Sequence, residues 1–151
     1  MDIGSSATAL VPVLIGTAGM VEGECFVLGE GVDLTIGRSR SCDVSLRKTS
    51  AYLKTPAQVR DNDHDFNTVS RRHLRLHVKD GTAALQDLSS NGTFCNGEQV
   101  VLPRKLDLRA GACSIRLGTR ESFDLALMPK DDPRVQGLLP VVGGANANDI
   151  D

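Results

Sequence analysis

Aromatic side chains are scarce: the 151 residues include one Tyr, four Phe and no Trp. Such a chain offers neither a stacking platform for nucleobases nor an aromatic cage for a quaternary amine. No sign of charge is in excess, with 17 Lys and Arg against 19 Asp and Glu and a formal net charge of -2. A surface that tracked nucleic-acid phosphates by charge would show as a basic domain or stripe, so nucleic acid is not an expected partner, whereas a local anion site remains open. The four cysteines Cys25, Cys42, Cys95 and Cys113 form no CxxC and no cluster with histidine, which removes the spacing that a zinc site uses. They read as small apolar residues in a reducing compartment, and no metal or other cofactor is expected. Long apolar runs are missing too. Ala9 to Ile15 is too short to cross a bilayer and lacks the basic start of a secretory leader. A cytoplasmic protein without a membrane partner is the expectation, with one domain at this length.

What is present is a period of two. Leu74, Leu76 and Val78 alternate with Arg75, His77 and Lys79; Cys113, Ile115 and Leu117 alternate with Ser114 and Arg116; and Phe123, Leu125 and Leu127 alternate with Asp124 and Ala126. Each pattern predicts a half-buried antiparallel strand. Turn signals follow at short intervals: Gly29 to Gly31, Asp80-Gly81, Asn91-Gly92, Asn96-Gly97 and Arg109-Ala110-Gly111. Asx-Gly pairs supply the positive φ angles of tight hairpins. Short strands with regular turns and no long amphipathic helix predict an all-β sandwich or barrel with a core of Val, Leu and Ile.

Two segments depart from that pattern. Arg47 to Val69 is long, polar and mixed, and it reads as an inserted loop that is either functional or mobile. Its acidic run Asp61-Asn62-Asp63-His64-Asp65 is no EF-hand, because Phe66 and Arg72 stand where that loop needs Gly and Glu. A solvated acidic face that biases ligand choice toward basic residues is the reading. Residues 129–151 have the composition of a flexible C-terminal tail, and 1–9 that of a flexible N-terminus.

Three segments sit where strands give way to turns: Gly37-Arg38-Ser39, Ser70-Arg71-Arg72-His73, and Leu88-Ser89-Ser90-Asn91-Gly92-Thr93-Phe94. Arg38 can offer a planar fork of donors to two oxygens of a phosphate. Ser70 and Ser90 can each donate one hydroxyl proton, and Asn91 carries a donor and an acceptor that suit a peptide backbone. The inventory fits a tetrahedral oxyanion attached to a peptide.

The order and spacing of these segments, Gly37-Arg38, Ser70-x-x-His73 and Asn91-Gly92-Thr93-Phe94 followed by Asn96-Gly97, resemble the forkhead-associated (FHA) domain. The likeness extends over residues 10–128. It implies a sandwich of two antiparallel or mixed sheets with binding loops at one end, and a phosphothreonine-peptide-binding function without catalysis. Arg38 is then the main phosphate clamp, with Ser70, Arg71 and Ser90 adding phosphate contacts, and Asn91 holds the ligand backbone just after the phosphothreonine. Gly37, His73 and Gly92 are architectural. Thr68, Val69, Cys95 and Asn96 fall in the loops where the family tunes its preference downstream. The implied partner is a phosphothreonine-containing protein, a Ser/Thr kinase or its substrate.

Three other readings compete. A phospho-independent interaction or oligomerisation scaffold could use the same fold, with Arg47 to Val69 as its interface. A hydrolase could pair Ser70 with His73, although nothing nominates an orienting third group or oxyanion donors. Self-regulation through a phosphorylated Thr8 or Thr55 would place a modified threonine in the chain's own site. The fold resemblance favours the phosphopeptide reading over all three.

Overall fold

The computed structural model describes residues 9–144. Alternation decides the strands. In β5 (Leu74–Lys79), Leu74, Leu76 and Val78 turn inward with no more than 1% of their surface exposed, while Arg75, His77 and Lys79 face out. The described residues form eleven strands, the longer ones with this kind of alternation. They are β1 (Leu10–Ala18), β2 (Cys25–Val27), β3 (Val32–Gly37), β4 (Val44–Ser45), β5, β6 (Thr82–Asp87), β7 (Thr93–Cys95), β8 (Glu98–Gln99), β9 (Arg104–Asp107), β10 (Cys113–Leu117) and β11 (Glu121–Pro129).

They form two sheets, a six-stranded one in the order β2-β1-β11-β10-β7-β8 and a five-stranded one in the order β4-β3-β5-β6-β9. All pairings between strands are antiparallel except β3 with β4. Val, Leu and Ile supply most of the core between the sheets. The two-residue turns Asp80-Gly81 and Asn96-Gly97 carry positive φ at both positions (52° and 76°, 50° and 85°), the mirror-image turn that matches the twist of hairpin strands. Asn91-Gly92 behaves differently. Only Gly92 of that pair has positive φ, and the segment carries the chain from β6 in one sheet to β7 in the other instead of closing a hairpin.

Register then gathers the functional segments. The end of β3 lies beside the start of β5 through Ile36↔Leu74, the start of β5 beside the end of β6 through Leu74↔Asp87, and the end of β10 beside the starts of β7 and β11 through Leu117↔Thr93 and Leu117↔Glu121. The connections 38–43, 46–73, 88–92 and 118–120 therefore emerge at one end of the sandwich.

The expected loop at Arg47 to Val69 is instead folded. It contains a single 3-10 turn and three short helices, α1 (Ser50–Lys54), α2 (Ala57–Arg60) and α3 (His64–Asn67). Thr49 Oγ1 accepts the Tyr52 amide at 3.3 Å and Asp63 Oδ1 accepts the Phe66 amide at 3.1 Å, so α1 and α3 each start on a side-chain cap, whereas α2 follows Pro56 without one. Helices of one turn have no stability of their own, and packing must supply it. Tyr52 and Phe66 stack at 5.1 Å between centroids and are buried in the main core with Leu46 and Val69. Removing such an aromatic from water contributes about 2–3 kcal/mol. Periodicity could not reveal one-turn helices; the buried aromatics are what fold the segment.

The C-terminal segment also departs from expectation. β1 is apolar on both faces, since Leu14 points into the main core while Val13 points away from it. Val135 covers that second face, forming a small cluster with Val13, Val27 and Met128. The chain then pairs beside β2, with the Val141 amide donating to Val27 O at 2.7 Å and the Gly29 amide donating to Val141 O at 3.1 Å. Residues 130–144 thus run along the sandwich as part of it. Residues 1–8, including Thr8, and 145–151 lie outside the described residues.

Candidate functional site

Gly37 sets the site's geometry. A Cβ there would lie 2.1 Å from Arg71 O and 2.9 Å from Ser70 O, so only glycine lets the end of β3 press against the segment that precedes β5. That closeness makes two backbone bonds, Arg38 N–H to Ser70 O at 3.1 Å and Ser39 N–H to Arg71 O at 3.0 Å. They fix Arg38 next to Ser70. The Arg38 Nε–H donates to Val69 O, which orients the guanidinium on its half-buried stem.

His73 holds the second segment in place. It is fully buried, its Nδ1 accepts the Ser70 amide at 2.9 Å, and its Nε2 lies 2.8 Å from Gly92 O. A ring nitrogen that accepts from an amide carries no proton, so Nε2–H is the donor to Gly92 O. One imidazole thus ties the Ser70 loop to the Asn91-Gly92 loop. Burial pushes its pKa below the usual value, against the opposing effects of the Gly92 carbonyl and the Asp87 carboxylate. The nitrogen that a general base would use faces the Ser70 backbone amide, so Ser70 and His73 are not arranged as nucleophile and base.

The third segment is organised by Asp87, which sequence reading missed. Its Oδ1 accepts from Ser89 N at 3.1 Å, Ser89 Oγ at 2.6 Å and Thr93 Oγ1 at 2.8 Å. Ser89 Oγ in turn accepts the Gly92 amide at 2.8 Å. An Asp at a strand end followed two residues later by Ser is an Asx-turn signal that could have revealed this brace. The brace presents Ser90 and Asn91 outward, both exposed. The Ser90 amide donates to Ser70 Oγ at 3.1 Å, and Asn91 Nδ2 donates to Thr68 O at 3.0 Å. Because Ser70 Oγ accepts, its own hydroxyl proton points elsewhere and can be given to a ligand oxygen.

The structure therefore brings Arg38, Ser70, Ser90, Asn91 and Thr68 together, on supports made by Gly37, His73 and Gly92. Arg71 is exposed beside them, while Arg72 reaches back to Ser41 Oγ at 3.1 Å. The remaining specificity positions are placed differently. Val69 is fully buried, and it meets the site through its carbonyl. Cys95 is fully buried too, because Thr93 and Cys95 share the inward face of β7. Asn96 sits in the turn at the opposite end of β7, where its Oδ1 accepts the Ser114 amide at 2.9 Å. Chain proximity to Gly92 suggested Cys95 and Asn96, but strand alternation and direction take both away from the loop end.

The acidic run is structural at this end. Asp63 Oδ2 lies 2.8 Å from Arg120 Nη2, which also reaches the fully buried Glu121 at 2.8 Å. Burial opposes ionisation of Asp63, but hydrogen bonds from Arg120 and the Phe66 amide outweigh it and hold the carboxyl below its usual range. Asp65 Oδ1 accepts Thr119 Oγ1 at 2.7 Å, and Thr68 Oγ1 donates to Asp65 O at 2.6 Å and accepts the Thr119 amide at 3.1 Å. A biasing acidic face is therefore not what Asp63 and Asp65 provide. They anchor α3, and with it the carbonyls of Thr68 and Val69, to the β10–β11 turn. Thr55, the described candidate for self-regulation, closes α1 by donating its hydroxyl to Ala51 O at 2.7 Å.

Comparison with known proteins bears on the fold and the family. The model of the FHA domain matches residues 34–118. A search of curated proteins found no match. An FHA domain from a structural and functional analysis of phosphothreonine-dependent FHA domain interactions is 28% identical with a TM-score of 0.56, over 79% of this chain and 98% of its own. The FhaA FHA domain, solved in complex with the intracellular domain of Rv3910, is 28% identical with a TM-score of 0.51, over 75% and 98%. The FHA domain of an Arabidopsis thaliana hypothetical protein, 22% identical, shares the fold with a TM-score of 0.58 over 85% and 95%. The family match takes in Arg38, Ser70, His73, Asn91 and Gly92 and spans more than half of the sequence, and the chain belongs to the forkhead-associated family.

Proposed function

We propose that this protein is a phosphothreonine-dependent peptide-binding module that acts as a small adaptor or regulator in Ser/Thr kinase signalling, with a kinase or kinase substrate as its partner. The observation that carries the reading is the state of the Ser70 hydroxyl. It accepts from the Ser90 amide at 3.1 Å, which leaves its proton to donate beside the Arg38 guanidinium. A phosphate brings about -1.5 to -2 charge at neutral pH, and a hydrogen bond to a charged group is worth about 1.5–3 kcal/mol. Two or three such bonds from Arg38, Ser70 and Ser90 separate phosphorylated from unphosphorylated ligand by about a hundredfold or more. Asn91, already oriented toward a backbone carbonyl, exchanges Thr68 O for the ligand backbone. A cytoplasmic setting fits the four free thiols of Cys25, Cys42, Cys95 and Cys113.

The test is calorimetric titration of wild type and Arg38→Ala with an oriented phosphothreonine peptide library and its unphosphorylated counterpart. Wild type binds only the phosphorylated set, and Arg38→Ala loses that binding while keeping its unfolding midpoint. Equal affinity of the two proteins would refute the assignment, and partner capture from cells that survives phosphatase treatment would favour a phospho-independent scaffold.

A further inference from the structure

The end of the sandwich away from the phosphate loops carries an apolar strap and, beside it, an apolar cleft. The strap is residues 136–144. Val135 pins it on one side, buried with Val13, Val27 and Met128. Val141 pins it on the other, its amide donating to Val27 O at 2.7 Å and its carbonyl accepting the Gly29 amide at 3.1 Å. Gly143 then passes so close to the start of β3 that there is no room for a Cβ against Asp33 O. Although held at both sides, the strap presents Leu138, Leu139 and Val142 to solvent, with 43%, 89% and 76% of their surface exposed. Three of the nine large apolar side chains exposed among the described residues thus fall within five positions, which makes a patch and not a scatter.

The cleft is lined from both sheets. Leu10 and Pro12 of β1 and Leu127 of β11 face Val78 of β5 across it, with Glu30 and Asp80 on the rim. Pro12 and Val78 are buried, Leu127 packs against the main core, and Leu10 is 56% exposed, so the edge of the core opens to solvent here. Strap and cleft share the turn Gly29–Gly31 as a border, since Gly29 bonds Val141 and Glu30 stands on the rim. The strap does not fill the cleft of its own chain, for Leu139 is almost bare.

We propose that this end is a homodimer interface, in which Leu138, Leu139 and Val142 of each copy cover the cleft at Leu10 and Leu127 of the other. The two surfaces match in chemistry, aliphatic against aliphatic. They also lie side by side, so a single two-fold axis through this end joins both pairs at once. Six exposed side chains make a small interface, and the dimer is a weak, reversible one. β3 begins at this end and finishes at Gly37, next to Arg38, so both phosphate sites stay open in the dimer. The interface does not depend on the phosphothreonine reading; with that reading, it turns one clamp into a bivalent one, able to hold two phosphothreonines of one assembly with avidity.

The experiment is sedimentation of the full chain from about 1 μM to about 300 μM, comparing wild type with Leu139→Asp in the strap and Leu10→Glu in the cleft. Both positions are exposed, so each variant keeps the wild-type unfolding midpoint. Wild type passes from monomer to dimer within that range, and either variant weakens association about tenfold or more. An equal mixture of the two variants associates more tightly than either alone, because a mixed pair retains one intact strap and cleft. A wild type that stays monomeric throughout, or a dimer that both variants leave undiminished, overturns the proposal. A mixture no tighter than its parts overturns the pairing of strap with cleft. If a dimer appears only once residues 1–8 are removed, those residues are the occupant of the cleft and the proposal falls.

Discussion

Acidification offers a direct test of how the two binding loops are joined. His73 is neutral in the folded state because its Nδ1 accepts the Ser70 amide at 2.9 Å and its Nε2–H donates to Gly92 O at 2.8 Å. A proton added to Nδ1 would place two donors face to face and break the first bond. Burial has already pushed the folded pKa below the usual value of 6.5. The sign follows: above 6.5 neither folded nor unfolded chain carries the proton, and the stability is intact. Below 6.5 the unfolded chain takes up a proton that the folded chain refuses, so stability falls until the pH passes the folded pKa. One proton changes the free energy by at most about 1.4 kcal/mol per pH unit, so the loss between pH 6.5 and about 5 is up to about 2 kcal/mol. That is a large share of the about 5–15 kcal/mol that holds a typical domain together, and it appears before ordinary carboxylates begin to titrate.

Urea unfolding of wild type and His73→Asn between about pH 7.5 and about pH 5 measures it. The asparagine variant keeps one of the two hydrogen bonds and cannot titrate, so it starts about 1–2 kcal/mol less stable and shows a flatter profile over the window. A wild-type profile as flat as the variant's, or a variant profile as steep as wild type's, would refute the assignment of the proton to His73 and with it the neutral imidazole bridge.

Two further substitutions probe the supports of the site. Gly37→Ala drives a methyl to within 2.1 Å of Arg71 O, so β3 and the Ser70 loop must part; a loss of about 2–4 kcal/mol in urea unfolding is expected, together with loss of phosphopeptide binding, and wild-type stability would contradict the close approach. Arg120→Ala leaves Glu121 fully buried without its cation and frees Asp63; a destabilisation of about 3 kcal/mol is expected, and Arg120→Ala in a Glu121→Gln background should recover part of it.

Much of the sandwich was legible because its strands bury one face and expose the other. Leu74, Leu76 and Val78 announce β5 by alternation alone, and Asp80-Gly81 announces the turn that follows. Arg38, Ser70 and Asn91 were legible as a set because each stands where a strand ends, and register brings those ends together. What escaped reading has three physical causes. The helices around Tyr52 and Phe66 are too short to show a period, and they exist because two aromatics reach the core. Residues 130–144 look like a tail in composition, but the doubly apolar β1 needs a cover and Val135 provides one. Cys95 and Asn96 were placed by distance along the chain, whereas in a strand the neighbour faces the other way, and it is Phe94 that looks outward.

The inserted segment and the phosphate site form one mechanical unit. Arg38 and Asn91 are oriented by adjacent carbonyls, those of Val69 and Thr68, at the end of the insertion. Those carbonyls are positioned by α3, whose cap Asp63 is held by Arg120, and by Asp65, whose carboxylate is held by Thr119. Arg120 and Thr119 belong to the β10–β11 turn, and that turn is bonded through Gly118 to Gly92, the residue after Asn91. The path closes on itself: insertion, turn, recognition loop, insertion. Loosening any member frees the carbonyls that aim Arg38 and Asn91 and makes their ordering a cost of binding rather than of folding. Substitutions in the acidic run are therefore expected to weaken all phosphopeptides together.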